Sequence, residues 1–520
     1  MGIFGKKRAI KVLFVTSEQT EFAKAGGLGE VMFSLSRALC GIGHDARVFM
    51  PLYATIDREL FPLERTHEGL SVPTDSKDPE KNIICNIVEY MSSDKPRSPV
   101  HTYFLENQEY YEMRSNVYGY EDDRIRFALL SRGALEFLSK KSDWVPDVIV
   151  STDWLTGWLA SMLRVEYKND PRLTSVASVF SIHNLGNQGM KVHHKFIPES
   201  ERDDGVGDMP DFFSDRMGVV NSVRRAMLYA DVINTVSQTH AKELLTEEFG
   251  EGLEALLRER RERLYGILNG IDYETNDPSM DTSLAKNFST RTVDVRVENK
   301  LAIQERFGLP KNKRAFLMVI VSRFTKQKGF SLLEPVIDQF FKATGAQLIV
   351  VGTGETEIME FFQELEKKYP TQARAHLQFS ETLPHELYGG ADVALIPSYF
   401  EPCGLTQMEA MRFGTVPVAR RVGGLADSIV PYAPETRTGT GFLFDDFDPN
   451  ALLIALTEAF VSWQHPTGWR KLMQNVMMKD FSWENSAREY EKLFRLAIRF
   501  RAEDLKKKTN NRAVNGRRIE

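Results

Sequence analysis

Short, continuous apolar runs alternate with helical patterns along this chain, and the alternation occurs twice. In the first half IKVLFVT, DARVFMP, NIICNIVEYM, DVIVST, VASVFSI and DVINTVS read as strands. IKVLFVT is apolar almost throughout, as in a parallel strand covered on both faces. After it, Leu28, Val31, Met32, Leu35, Leu39 and Ile42 recur at three- and four-residue spacing, one face of a helix. RIRFALLSRGALEFLS and SQTHAKELLTEEF read as further helices. The pattern restarts near residue 315 with the strands AFLMVIVS, AQLIVVG and ADVALIPS, and with helices in SLLEPVIDQFFKAT and after Pro402. Such alternation predicts an α/β chain of two Rossmann-like, doubly wound parallel sheets, which would leave a cleft between them.

A chain of 520 residues has room for two or three domains of this kind. A net charge of −6 argues against a general nucleic-acid binder. No apolar run approaches the ~20 residues that span a bilayer. MGIFGKKRAIKVLFV starts basic and turns apolar, but Lys11 interrupts the run and no small-residue cleavage site follows. It therefore reads as a first strand. Cys40, Cys85 and Cys403 are scattered and odd in number, which fits a reducing compartment without a disulfide framework or zinc site. A cytoplasmic protein is expected. HHKFIPESERDDGVGDMPDFFSD reads as a long loop, either a mobile lid or a variable insertion.

Several strand ends carry chemistry. KAGGLGE, Lys24 to Glu30, sits at a strand-to-helix turn. It lacks the third glycine of G-x-G-x-x-G, and its lysine precedes the glycines, unlike a P-loop. Gly26 and Gly27 near a helix start could let backbone N–H groups approach an anion, with Lys24 as a point charge. A plain turn with a surface lysine fits as well. In VSRFTKQKGF a strand runs into Arg323, Lys326 and Lys328, and cations beyond the carboxyl end of a strand suit a phosphate or diphosphate. In IPSYFEPCGLTQMEAMRFG a strand end is followed by Glu401, then by Cys403, Gly404, Leu405 and Thr406 at a helix start, with Glu409 inside the helix. A carboxylate at the strand end suits sugar hydroxyls, and one further on suits a ribose diol. Cys403, with no histidine paired to it in sequence, contributes backbone. Gly423 and Gly424 in ARRVGGLADSIV bind a phosphate or simply turn. DDFDP contains a D-x-D, yet Asp448 before Pro449 reads better as a helix N-cap than as a metal ligand. FSIHNLGNQG offers His183, Asn184 and Gln188 at a strand end, and IVSTDWLTGW offers Asp153 beside Trp154.

In this order the motifs resemble those of bacterial glycogen synthases and plant starch synthases, retaining glucosyltransferases of GT-B architecture. The resemblance runs from about Lys11 to Phe500 and is most specific at FEPCGLTQ. It implies an N-terminal acceptor-side domain over 1–265 and a nucleotide-sugar-binding domain over 266–485. A C-terminal helix over 486–507 would cross back to the first domain, and 508–520 would form a disordered tail. It implies transfer of glucose from ADP-glucose or UDP-glucose to the non-reducing 4-hydroxyl of an α-1,4-glucan such as glycogen, with retention and with no cofactor or metal. Lys24, Arg323 and Lys328 would neutralise the diphosphate, and Gly26, Gly27, Cys403, Gly404, Leu405 and Thr406 would supply backbone to it. Glu401 would face the transferred glucose, with His183 and Asn269 bonding its hydroxyls. Glu409 would lie near the ribose, and Asp153 would be by the acceptor.

The chain departs from the family where Ser151-Thr152-Asp153-Trp154-Leu155 lacks the flanking histidines. Asn187 replaces a tyrosine, Tyr399 an arginine and Arg224 a lysine. These changes fall mostly on the first-domain side and leave two alternatives open. One is a related transferase with a different acceptor, and the other is an inactive glycan-binding or regulatory homologue.

Overall fold

A computed structural model describes residues 8–91, 100–190 and 193–516. The basic residues before Arg8 and the last four residues of the expected tail lie outside the described residues. The chain divides into two compact units. The first comprises Met1–Val236, Ala241–Gly270 and Trp483–Glu520, and the second Ser237–His240 and Ile271–Ser482.

The first unit is built on a nine-stranded sheet. Its strands are β1 (Lys11–Val15), β2 (Asp45–Pro51), β3 (Glu64–Asp75), β4 (Asp78–Tyr90) and β5 (His101–Glu106), followed by β6 (Val148–Thr152), β7 (Ala177–Ile182), β8 (Val232–Thr235) and β9 (Leu264–Gly266). They lie in the order β3-β4-β5-β2-β1-β6-β7-β8-β9, parallel except where β4 pairs with β3 and with β5. Phe14 and Val15 of β1 are fully buried, because helices cover both faces of a parallel sheet. α1 (Gly27–Gly41) packs Val31, Met32, Leu35 and Leu39 onto it. The C-terminal helix, Trp483–Gly516, adds Tyr490, Phe494 and Ala497 to the same core, with the Phe494 ring edge-on to Phe14 at 6.4 Å. It starts three residues earlier than expected and runs on to Gly516, because its lysine-rich end continues a helix already nucleated by packing.

The second unit has six parallel strands: β10 (Leu317–Val321), β11 (Gln347–Val351), β12 (Ala373–His376), β13 (Val393–Ile396), β14 (Val416–Arg420) and β15 (Phe442–Phe444). Their order is β12-β11-β10-β13-β14-β15. Only part of SLLEPVIDQFFKAT forms an α-helix, Ile337–Thr344, since Pro335 cannot sit inside one. The helix expected in SQTHAKELLTEEF is likewise short, Gln238–Glu243.

Both sheets have a switch point, where the chain runs outward one way and then restarts on the other side. In the first unit it lies between β1 and β6, in the second between β10 and β13. Loops leaving the carboxyl ends of strands splay apart there and open a crevice, the usual ligand site of an open α/β sheet.

Candidate active site

In the second unit the switch point gathers Arg323 to Lys328 after β10 and Ser398 to Glu401 after β13. The two loops are stitched together: Tyr399 N donates to Gln327 O at 2.8 Å, and Gln327 Nε2 to Phe400 O at 2.8 Å. Lys328 Nζ then reaches Glu401 Oε2 at 2.5 Å, and Ser398 Oγ donates to the same oxygen at 3.1 Å. Glu401 is buried and Lys328 nearly so. Arg323, on the same loop, is exposed and forms no ion pair among the described residues.

Gly423 and Gly424 belong to the scaffold of this loop. The Gly424 N–H donates to Glu401 O at 3.0 Å, and a Cβ on Gly424 would fall 1.8 Å from Cys403 O. Only a glycine lets the backbone pass so close, so this pair is a turn packed on the Glu401 loop. Cys403 O and Gly404 O accept from Gln407 Nε2 at 3.1 and 2.7 Å. Leu405 caps the helix Thr406–Arg412, in which Glu409 is half-buried near Tyr388. Ser398 and Gln407 escaped the sequence reading. Ser398 had a signal, a hydroxyl three residues before Glu401, whereas nothing in the sequence marks a glutamine that folds back on its own helix start. The D-x-D aspartate Asp448 caps a helix, accepting from Asn450 N at 2.8 Å and Ala451 N at 3.3 Å.

In the first unit the switch point brings together the ends of β1 and β6, with β7 alongside. The loop of Lys24 is closed from inside. Glu18, 2% exposed, accepts from Ala25 N at 2.7 Å and Gly26 N at 2.8 Å through Oε2. The Gly26 N–H, assigned to a diphosphate from the sequence, is therefore already engaged by a carboxylate of the chain. Gly29 is small for the same reason, since its Cβ would lie 3.1 Å from Glu18 Oε2. Gly27 differs: a Cβ there would meet nothing within 4 Å. Lys24 Nζ is half-exposed and lies 3.3 Å from Glu30 Oε2, a surface pair of small energetic weight. The sequence signal for Glu18 was an acid directly after an apolar strand, in VTSE.

Asp153 lies at the end of β6 with φ 46°, in the left-handed region, which aspartate visits more often than most side chains. Its Oδ1 accepts from His183 N at 2.8 Å and Asn184 N at 3.1 Å, so it holds the loop after β7. Burial pushes the Asp153 carboxyl up to about 6 and the His183 imidazole down to about 4. His183 is thus neutral near pH 7, a hydrogen-bonding group, with Nε2 3.1 Å from Ser181 Oγ. Asn269 is buried, and its Oδ1 has no partner among the described residues. Gln188 is structural: it donates to Glu251 O at 3.1 Å and accepts from Asn221 Nδ2 at 2.8 Å. Asn187 is exposed and closes its own turn by accepting from Gly189 N at 3.2 Å.

The long loop before Arg216 is tied down. A buried bidentate pair joins Arg225 to Asp203 at 2.8 and 3.0 Å, and Arg224 donates to the carbonyls of Asp203 and Asp204 at 3.0 and 3.4 Å. A lysine at 224 could not span both carbonyls with a planar fork.

Residues 11–259 match the family Starch synthase catalytic domain, and 302–472 the family Glycosyl transferases group 1. Glycogen synthase from Geotalea daltonii is 37% identical over 498 residues, 94% of this chain and 99% of the relative. Glycogen synthase from Clostridium perfringens is 38% identical over 495 residues, covering 95% and 99%. Among solved structures, the catalytic domain of Starch Synthase IV from Arabidopsis thaliana, bound to ADP and acarbose, superposes with a TM-score of 0.78 at 31% identity. That match covers 94% of this chain and 100% of the neighbour. Sucrose-phosphate synthase from Thermosynechococcus elongatus shares the fold, with a TM-score of 0.55 at 19% identity over 93% and 98%. No helix among the described residues is long and apolar enough to cross a membrane.

Proposed function

Because the chain belongs to the glycogen and starch synthase family and is a glycosyltransferase of GT-B fold, we propose that it elongates an α-1,4-glucan with glucose from a nucleoside-diphosphate donor, in the cytoplasm. The observation that carries this reading is the Lys328–Glu401 pair at the switch point of the second unit. It sets a cation for a leaving phosphate beside a carboxylate for a sugar.

The C1–O bond to the diphosphate breaks as the acceptor 4-hydroxyl attacks on the same face, which retains the anomeric configuration. The hydroxyl proton passes to the departing phosphate oxygen. Negative charge grows on that oxygen and positive charge on the sugar ring. Arg323 and Lys328 meet the first, Glu401 the second, so both are stabilised more in the transition state than in the ground state. Removing one such partner costs ~2.7–4 kcal/mol in barrier. The backbone of Cys403 to Thr406 is assigned to the diphosphate and Glu409 to the ribose. In the first unit Lys24 and Gly27 are assigned to phosphate, and neutral His183 and Asn269 to glucose hydroxyls. Asp153 holds the His183 loop on the acceptor side. No metal or cofactor enters the scheme.

Incubation with ADP-glucose or UDP-glucose and glycogen tests the reading. Release of the matching nucleoside diphosphate with lengthened glucan supports it. Release only with another acceptor selects the related transferase, and glycan binding without turnover selects the inactive homologue. A trapped glucosyl–protein adduct would overturn the same-face mechanism.

A further inference from the structure

A second cluster of cations lies at the opposite end of the first unit's sheet, where β8 and β9 begin. A cavity of about 620 Å³ opens there, lined by Arg164, Arg260, Arg263, Arg501 and Lys507. Four carboxylates share the lining, but they do not balance these charges. Asp231, 5% exposed, is spent on Arg164 Nη2 at 2.5 Å and on the N–H and hydroxyl of Ser178 at 2.8 and 3.1 Å. Asp504 is taken by Arg263 at 3.3 Å. Glu262 is exposed and pairs outward with Arg261 at 3.5 Å, and Glu259 is exposed. Among the described residues, Arg260, Arg501 and Lys507 have no carboxylate partner.

The guanidinium groups are also under-used. Arg164 keeps Nε and Nη1, and Arg260 keeps Nε, buried without an acceptor among the described residues. Arg164 is held in place, its side chain 8% exposed. The other donors of Arg260 and Arg501 go only to carbonyls, of Leu228, Ala230 and Thr174. Burial, with repulsion from Arg164 added, pushes Arg501 down to about 10, and burial with repulsion from Arg263 lowers Arg260; attraction to Asp231 and Asp504 offsets only part of this at either group. Arg263 lies 3.9 Å over the Phe500 ring, which fixes the plane of its fork. Buried and half-buried arginines that repel one another and retain idle N–H donors are costly unless an anion joins them. A phosphate supplies two charges and several acceptors, and arginine forks match its geometry.

We propose that this cavity binds a small phosphate-bearing anion through Arg260, Arg263 and Arg501, at the far end of the sheet from the candidate active site. The ligand ties the C-terminal helix, which carries Arg501, to the starts of β8 and β9.

The test is calorimetric titration of the full chain with inorganic phosphate, at ionic strength held constant with sodium chloride. Saturable binding is expected. Arg263→Gln should weaken it about tenfold, the effect of losing one charge-assisted contact. Asp504→Asn, which removes the competing carboxylate, should tighten it; a gain of affinity cannot come from misfolding. Arg323→Ala, in the other unit, should leave this binding unchanged. Absent binding in the wild type overturns the proposal. So does equal affinity in Arg263→Gln and Asp504→Asn, or loss of binding in Arg323→Ala.

Discussion

Each unit places a buried glutamate at its switch point, but the two carboxylates do different work. In the first unit Glu18 spends one oxygen on the N–H groups of Ala25 and Gly26, at 2.7 and 2.8 Å. In the second unit Glu401 takes the ammonium of Lys328 at 2.5 Å. The first contact is to backbone and shapes a loop. The second is to a charged side chain that can trade partners when an anion arrives. A glycine loop beside a lysine is therefore not enough to define a phosphate cradle. What matters is which donors the chain has already satisfied for itself. By that measure the first loop offers Lys24 and the space at Gly27, and the second offers Arg323 and Lys328.

The largest effect is expected at Glu401. Glu401→Ala should lower turnover about a thousandfold, some 4 kcal/mol, with the fold retained by circular dichroism; near-normal turnover would remove Glu401 from the chemistry. Gly424→Ala comes next. Its Cβ would sit 1.8 Å from Cys403 O, so the Glu401 loop must move, at a cost of ~3 kcal/mol in unfolding free energy. A variant as stable as the wild type contradicts the scaffold role of that glycine. Glu18→Ala removes two hydrogen bonds to a charged acceptor and should raise the donor KM about tenfold. Glu18→Gln, whose amide oxygen accepts from the same two N–H groups, should restore it; if both variants fail alike, the carboxylate acts by its charge and not by holding the loop.

A smaller effect concerns pH. His183, pushed from 6.5 down to about 4, loses stability for the fold as pH falls from 6.5 towards 4. Asp153, pushed from 3.8 up to about 6, loses it as pH rises through that window. The two slopes oppose each other in the wild type. Asp153→Asn keeps the acceptor for His183 N and leaves only the histidine slope. The variant should then lose ~1–2 kcal/mol more than the wild type between pH 7 and pH 4.5. Chemical denaturation of both proteins at the two pH values decides this, and equal losses count against the opposed pair. The smallest effect belongs to Gly27→Ala. With nothing within 4 Å, it should be neutral or stabilising by up to ~1 kcal/mol while weakening donor binding. Unchanged donor binding means that the open space at Gly27 is not used by a ligand.

What could be read in advance was local. β2 falls on DARVFMP, and β1, β6, β7, β8, β10, β11 and β13 all lie within apolar runs, because strands buried on both faces need continuous hydrophobicity. Asp448 was legible as a cap since its partners stand two and three residues on. β3 was missed because its first half is exposed and the strand contains Gly69 and Pro73, residues that read as a turn. SLLEPVIDQFFKAT was over-read because its apolar spacing continues across a proline that the backbone cannot accommodate.

The amino-acid order carries the alternation of strands and helices, the cations after β10 and the acid after β13, since each depends on neighbours a few residues apart. Which donors remain open for a ligand depends on contacts that close only on folding. Glu18 must turn back on Gly26, Gly424 must slide under Cys403, and Lys328 must meet Glu401 across 73 residues. The Arg164–Arg501 cavity is of the same kind. Its charges come from four stretches of chain, and no local pattern records that they meet with too few carboxylates among them.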